Sequence, residues 1–197
     1  MGKGRLEAFS DGVIAILITI MILELKIPAG SDWPALRTMV PAVLTYVLSF
    51  VFLGIYWTNH HHLLHATHRV TGGVLWANLH LLFWLSLTPI ATAWMGEHHD
   101  AALPNAVYGS VLLLSAIAYT ILQNTIMRNE PNDSLLAQAV GRDWKGKASM
   151  LGYIAAIPLA FVNQWISDAL YIAVVLTWLV PDRRIESRLG HEASTGL

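Results

Sequence analysis

The sequence predicts an all-α integral membrane protein of six spanning helices, on three observations. Hydrophobic residues make up 55% of its 197 positions and charged ones only 13%, against roughly 25% charged in soluble domains. The mean hydropathy is +0.51. The apolar residues also gather in runs close to the about 20 residues a helix needs to cross a bilayer. Such runs are too long for the alternating segments of a membrane barrel.

The first span is read as residues 8–27: an apolar run from Gly12 to Leu23, interrupted only by Thr19 and closed by Glu24, Lys26 and Pro28. It lacks a small-residue cleavage site, so no removable signal peptide is expected. The second and third spans are read over 36–62 and 74–95, and the fourth over 104–127. The fifth and sixth, 147–162 and 165–180, form a hairpin around Val162-Asn163-Gln164. The connection 128–146 is the longest polar one and has room for a short surface helix. Residues 1–189 read as one unit without internal repeats, and 190–197 as a disordered tail.

Basic residues set the orientation. With both termini cytoplasmic, Lys3, Arg5, Arg69, Arg128, Arg142, Lys145, Lys147, Arg183, Arg184 and Arg188 all fall inside, and only Lys26 and Arg37 outside. Eight Trp and six Tyr supply aromatic belts at the two interfaces. The absence of Cys excludes disulfides, thiolate metal sites and thiol catalysis. A net charge of −1 gives no footprint for nucleic acid.

Three polar groupings stand out. At the mouth of the first span lie Arg5, Phe9, Ser10 and Asp11. Ionisable groups beside a span are costly to desolvate and normally have a partner and a purpose. A helix-capping role for Ser10 or Asp11 is the simpler alternative. Ile16, Ile20, Leu23 and Ile27 then recur on one helical face with Thr19 beside them. In a symmetric oligomer that face would make a hydrophobic constriction, with Thr hydroxyls replacing part of an ion's water shell. Contact with lipid or a neighbouring helix would satisfy the same stripe.

The second grouping is Asn59, His60, His61 and His62, followed by His65 and His68. His61, His65 and His68 share a face, and imidazole is the commonest metal ligand. Clustered carboxylates and a Glu base at HExxH spacing are missing. The third grouping, Trp76 and Asn78, opens the third helix at the depth of the other two. Three helices thereby bring polar groups together, as a network fixing the angle of the first helix.

Arg5-x-x-x-Phe9-Ser10-Asp11 before an Ile/Leu/Thr-rich helix, Trp57-Thr58-Asn59-His60-His61, and Leu75-Trp76-x-Asn78 together resemble the transmembrane protein 175 family of potassium channels. The resemblance spans all six helices. It implies a homotetramer in the cell membrane, with first helices lining a pore that conducts K+ and other monovalent cations and needs no cofactor. It places the constriction at Ile16, with further layers at Ile20 and Leu23, and hydroxyl positions at Ala15 and Thr19. Ala15 lacks the hydroxyl of some members, which implies weak to moderate K+ selectivity. Arg5, Phe9, Ser10 and Asp11 are expected to pack on the second and third helices. The rival reading is a membrane metalloprotein enzyme built on His60, His61, His65 and His68.

Overall fold

The computed structural model describes residues 2–65, 67, 69–129 and 144–179, all of whose regular elements are helical. They are α1 (Lys3–Leu23), α2 (Trp33–His65), α3 (Gly72–Ser86), α4 (Thr88–Glu97), α5 (Ala102–Met127), α6 (Trp144–Leu159) and α7 (Gln164–Leu179). Four segments are long and apolar enough to cross a membrane: α1, α2, α5 and the rod of α3 with α4. The third predicted span is therefore two helices. Pro89 has no N–H to give to the preceding turn, so the ladder breaks around Leu87 while the backbone stays helical in direction. His68, Arg142, Arg183, Arg184, Arg188, most of the 128–146 connection and the 190–197 tail lie outside the described residues.

The largest boundary shift is at the front. α1 starts at Lys3, five residues before the expected position, with Gly2 extended at its N-cap. Ser10 and Asp11 are consequently mid-helix, which overturns the capping alternative. The helix also stops at Leu23, so Ile27 lies beyond it and shares no helical face with Ile16 and Ile20. At α2, Asp32 Oδ1 accepts the Ala35 N–H at 3.0 Å and sets the start at Trp33.

Side-chain hydrogen bonds define the directions of the helices. Ser10 and Met21 of α1 meet Asn78 and Thr92, so α1 runs parallel to the α3–α4 rod. His60 meets Asn78 and Ser49 meets Thr92, so α2 runs antiparallel to the rod. Ser49 also meets Tyr108, and Tyr119 donates to the Asn59 carbonyl, which aligns α5 with α2. Trp178 reaches Ser149, and Ser167 reaches the Ala156 carbonyl, closing the α6–α7 hairpin.

α5 sits at the centre, packed on α3, α4, α6 and α7. α1 lies at one side, touching α2, α3 and α4 through Leu6, Ser10, Ile14, Leu17 and Met21. Their spacings of four, four, three and four trace one helical stripe.

Helices come closest where side chains are absent. A Cβ on Gly96 of α4 would lie 2.9 Å from the Ala42 Cα and 3.2 Å from its Cβ on α2. No rotamer change can relieve a clash with backbone, so Gly96→Ala is expected to push α2 and α4 apart at a cost of about 1–3 kcal/mol. A lowered midpoint of thermal unfolding in detergent would register it. An unchanged midpoint would show that the contact is loose.

Candidate functional site

α1 has two unlike faces. The inner one is locked by a polar cluster near its start. Ser10 donates its proton to the Leu6 carbonyl at 2.9 Å, so its oxygen is left to accept from Asn78 Nδ2 at 3.0 Å. That turns Asn78 Oδ1 toward His60 Nε2, 2.7 Å away, and requires the proton of the neutral imidazole on Nε2. Ser10, His60 and Asn78 are all buried. Every proton in the triad therefore has one consistent position, as a buried network needs if it is to fix a geometry.

Asp11 lies 100° further round the helix and accepts from Trp57 Nε1 of α2 at 3.0 Å. Lys3 donates to the His65 carbonyl at the end of α2, satisfying a carbonyl left open by the helix terminus. Asn59 contributes its carbonyl, which accepts from Tyr119 at 3.3 Å. His61 is exposed and stacks between Trp57 and His65.

Arg5 and Phe9 do not pack on α2 and α3 as the resemblance implied. Counted back from Ser10 they point to the other side of α1, where both are exposed. Trp76 is 74% exposed and outside the cluster. It sits two positions before Asn78, about 200° away on the helix.

A second layer lies about 16 Å along α1, by the helical rise from Ser10 to Met21. Thr92 Oγ1 is 2.7 Å from the Thr88 carbonyl and 2.7 Å from Ser49 Oγ, which is 3.0 Å from the Tyr108 hydroxyl. Thr92 is the donor toward Ser49 as toward the Thr88 carbonyl, so its single proton is shared between the two, and either hydroxyl of the Ser49–Tyr108 contact can donate. Met21 Sδ touches Thr92 at 3.9 Å. Thr92 stands out in the sequence as a polar residue of the third span, but Ser49 and Tyr108 went unrecognised, since isolated hydroxyls in apolar runs have no spacing signature. The one signal is position: Ser49 is eleven residues before His60, and Thr92 fourteen after Asn78.

The opposite face of α1 holds Gly12, Ala15, Ile16, Thr19, Ile20 and Leu23, all exposed. Ile16 is 57%, Ile20 39% and Leu23 81% accessible, so this apolar face has no partner within the described chain. Thr19 donates to the Ile16 carbonyl at 2.9 Å, so its oxygen turns only lone pairs outward. At the far end Lys26 pairs with Glu97 of α4 at 2.6 Å, not with Glu24. Glu24 is the C-cap of α1 and lines a cavity of about 380 Å³ between α1, α2 and α4.

The chain is similar to known proteins. The model of the family described as endosomal/lysosomal potassium channel TMEM175 matches residues 5–89. A potassium channel of Chryseobacterium sp. (strain P1-3) is 53% identical over 189 residues, which are 96% of this chain and 98% of that one. One of Streptomyces collinus is 36% identical over 176 residues, 82% of this chain and 84% of that one. The crystal structure of a lysosomal potassium-selective channel TMEM175 homolog from Chamaesiphon minutus superposes with a TM-score of 0.77. Its identity is 26%, over 90% of this chain and 96% of that one.

Asn78→Leu leaves Ser10 and His60 buried without their shared partner, at about 1–3 kcal/mol for each orphaned group. A clear fall in thermal stability is expected, whereas Trp76→Ala should stay within about 0.5 kcal/mol as an exposed substitution. Equal losses from the two variants would remove the triad from its role in holding α1.

Proposed function

The chain belongs to the TMEM175 family of potassium channels, and from that premise we propose a multi-pass membrane protein that conducts K+, and other monovalent cations less well, along the axis of a homotetramer. The observation that carries the pore assignment is the asymmetry of α1. One face is locked to α2, α3 and α4, and the other is apolar, accessible and without a partner among the described residues. Four such faces around an axis make a narrow apolar passage.

Ile16, Ile20 and Leu23 form the constriction, and Thr19 the polar layer between them. A cation in an apolar neck is short of water oxygens, and hydroxyls with outward lone pairs replace some of them. Thr19 supports this use because its proton is already spent on its own backbone. Only one hydroxyl layer serves the face, since Ala15 brings none, and selectivity for K+ over Na+ is modest as a result. Glu24, freed from Lys26 by the Lys26–Glu97 pair, concentrates cations at the outer mouth.

Both termini face the cytoplasm in this reading. Among the described basic residues Lys3, Arg5, Arg69, Arg128, Lys145 and Lys147 lie on one end of the bundle, and Lys26 and Arg37 on the other. Ser10, His60, Asn78, Asp11 and Trp57 hold the pore helix and take no part in contacting the ion. Arg5 and Phe9, on the outward side of α1, meet the neighbouring copy. The family supports transport over catalysis, and no three His, Cys, Asp or Glu groups among the described residues gather as a metal centre. The metalloenzyme built on His60, His61, His65 and His68 has no support.

Purified protein in liposomes should pass K+ down a gradient, and Na+ more slowly. Ile16→Asn wets the neck and should raise flux about tenfold, equivalent to about 1.4 kcal/mol of barrier. Absent K+ flux would overturn the channel, and flux unmoved by Ile16→Asn would place the constriction elsewhere. Asp11→Ala is expected to abolish current or folding. The milder Trp57→Phe removes the same hydrogen bond and should lower flux while leaving the K+ to Na+ ratio alone. A changed ratio would put Asp11 in the ion path.

A further inference from the structure

The described histidines are not alike. His60 spends its Nε2 on Asn78, His80 accepts from Trp84 Nε1 at 2.9 Å, and His98 Nδ1 lies 3.4 Å from the Trp94 carbonyl. His61, His62 and His65 are exposed, and among the described residues their ring nitrogens have no hydrogen-bond partner. His65 is engaged only through its carbonyl, by Lys3.

Trp57, His61 and His65 follow one another at intervals of four residues and form a stack along α2. Ring centres are 6.3 Å apart for Trp57 and His61, and 6.0 Å for His61 and His65, the latter nearly parallel at 19°. Two imidazoles on one metal, with metal–nitrogen distances of about 2.0–2.1 Å at a tetrahedral angle, have ring centres about 5 Å apart. The observed pair is wider by about 1 Å, within reach of side-chain rotation on an exposed helix. Borderline divalent ions suit imidazole nitrogen. His62 lies 5.6 Å from His61 but is its direct chain neighbour, and such neighbours do not share a helix face.

We infer that His61 and His65 form a two-imidazole site for a divalent transition-metal ion, water filling the other positions, and that occupancy acts on α1. The link is Trp57. It ends the stack on one side and holds Asp11 of α1 on the other. Drawing His65 and His61 together re-seats the ring on which Trp57 lies, while Lys3 ties the start of α1 to the carbonyl of His65 itself. Among the described residues the site differs from a catalytic centre in having two protein ligands, with no third His, Cys, Asp or Glu gathered beside them. Its action on flux rests on the channel reading; its existence does not.

The test is Cu(II) titration of the purified, untagged full chain in detergent, followed by electron paramagnetic resonance. One Cu(II) per chain with two imidazole nitrogens is expected. His61→Ala or His65→Ala should weaken binding by about tenfold or more, since loss even of groups that only support a ligand costs 10–100-fold. His62→Ala should leave the affinity unchanged. Undiminished binding in His61→Ala/His65→Ala, or loss confined to His62→Ala, would overturn the site. These side chains are exposed, and an unchanged elution volume from size exclusion will show that the variants fold. Zn(II) added on the N-terminal side should then change K+ flux in the wild type and not in His61→Ala. Intact binding with indifferent flux would overturn the coupling to α1, and absent flux in metal-free protein would count against the channel alone.

Discussion

The side-chain amide of Asn78 is the joint on which the placement of α1 depends. It is buried, and it spends both of its ends: the nitrogen on Ser10 of α1 and the oxygen on His60 of α2. Inside a bilayer no water replaces a missing partner, so each member makes the others obligatory. Asp at this position would bring no donor for Ser10, and Leu would leave His60 Nε2 and the Ser10 lone pair without their partner. A hydrophobic contact tolerates sliding by a fraction of a helical turn; a hydrogen-bonded triad with defined proton positions does not.

One anchor fixes a point, and two fix an axis. Met21 touches the Thr92–Ser49–Tyr108 chain about 16 Å further along α1, so the helix is held near both ends of its span. Between the anchors Ile14 and Leu17 fill the same stripe. A slip of α1 by one residue turns it by 100° and would carry Ser10 out of the triad and Ile16 off the open face together. Rotation of the outward face is thereby set by chemistry on the inward one.

The fold was legible because its signals are coarse. Runs of apolar residues and the distribution of Lys and Arg need no side-chain detail, and the expected spans overlap all the observed helices. The site was legible where polar residues interrupt an apolar segment near its end, as Ser10, Asp11, His60 and Asn78 do. Partners across helices were less so. Asp11 was recognised and Trp57 was noted beside His60, but their pairing depends on how α1 rotates against α2, which one-dimensional spacing does not carry. Trp76 is close to Asn78 in sequence, yet two positions on a helix are nearly opposite faces. Ile27 was assigned to the stripe by periodicity alone. The helix ends at Leu23, four residues earlier, and a period has no meaning past the last turn.

The two sides of α1 differ in chemistry. The locked side carries the polar groups and is costly to disturb. The open side carries apolar residues and one hydroxyl whose proton is already satisfied. For an ion path this division is useful. Charges close to a permeating cation would bind it too firmly for it to leave, whereas an apolar neck with a few lone pairs lets it through once partly dehydrated. Asp11 is ionisable and lies in the first half of α1, yet Trp57 holds it to α2, away from the open face. In the proposed channel the carboxylate closest in sequence to the apolar neck is Glu24, at the C-cap beyond Leu23, where it draws cations toward the mouth without trapping them inside.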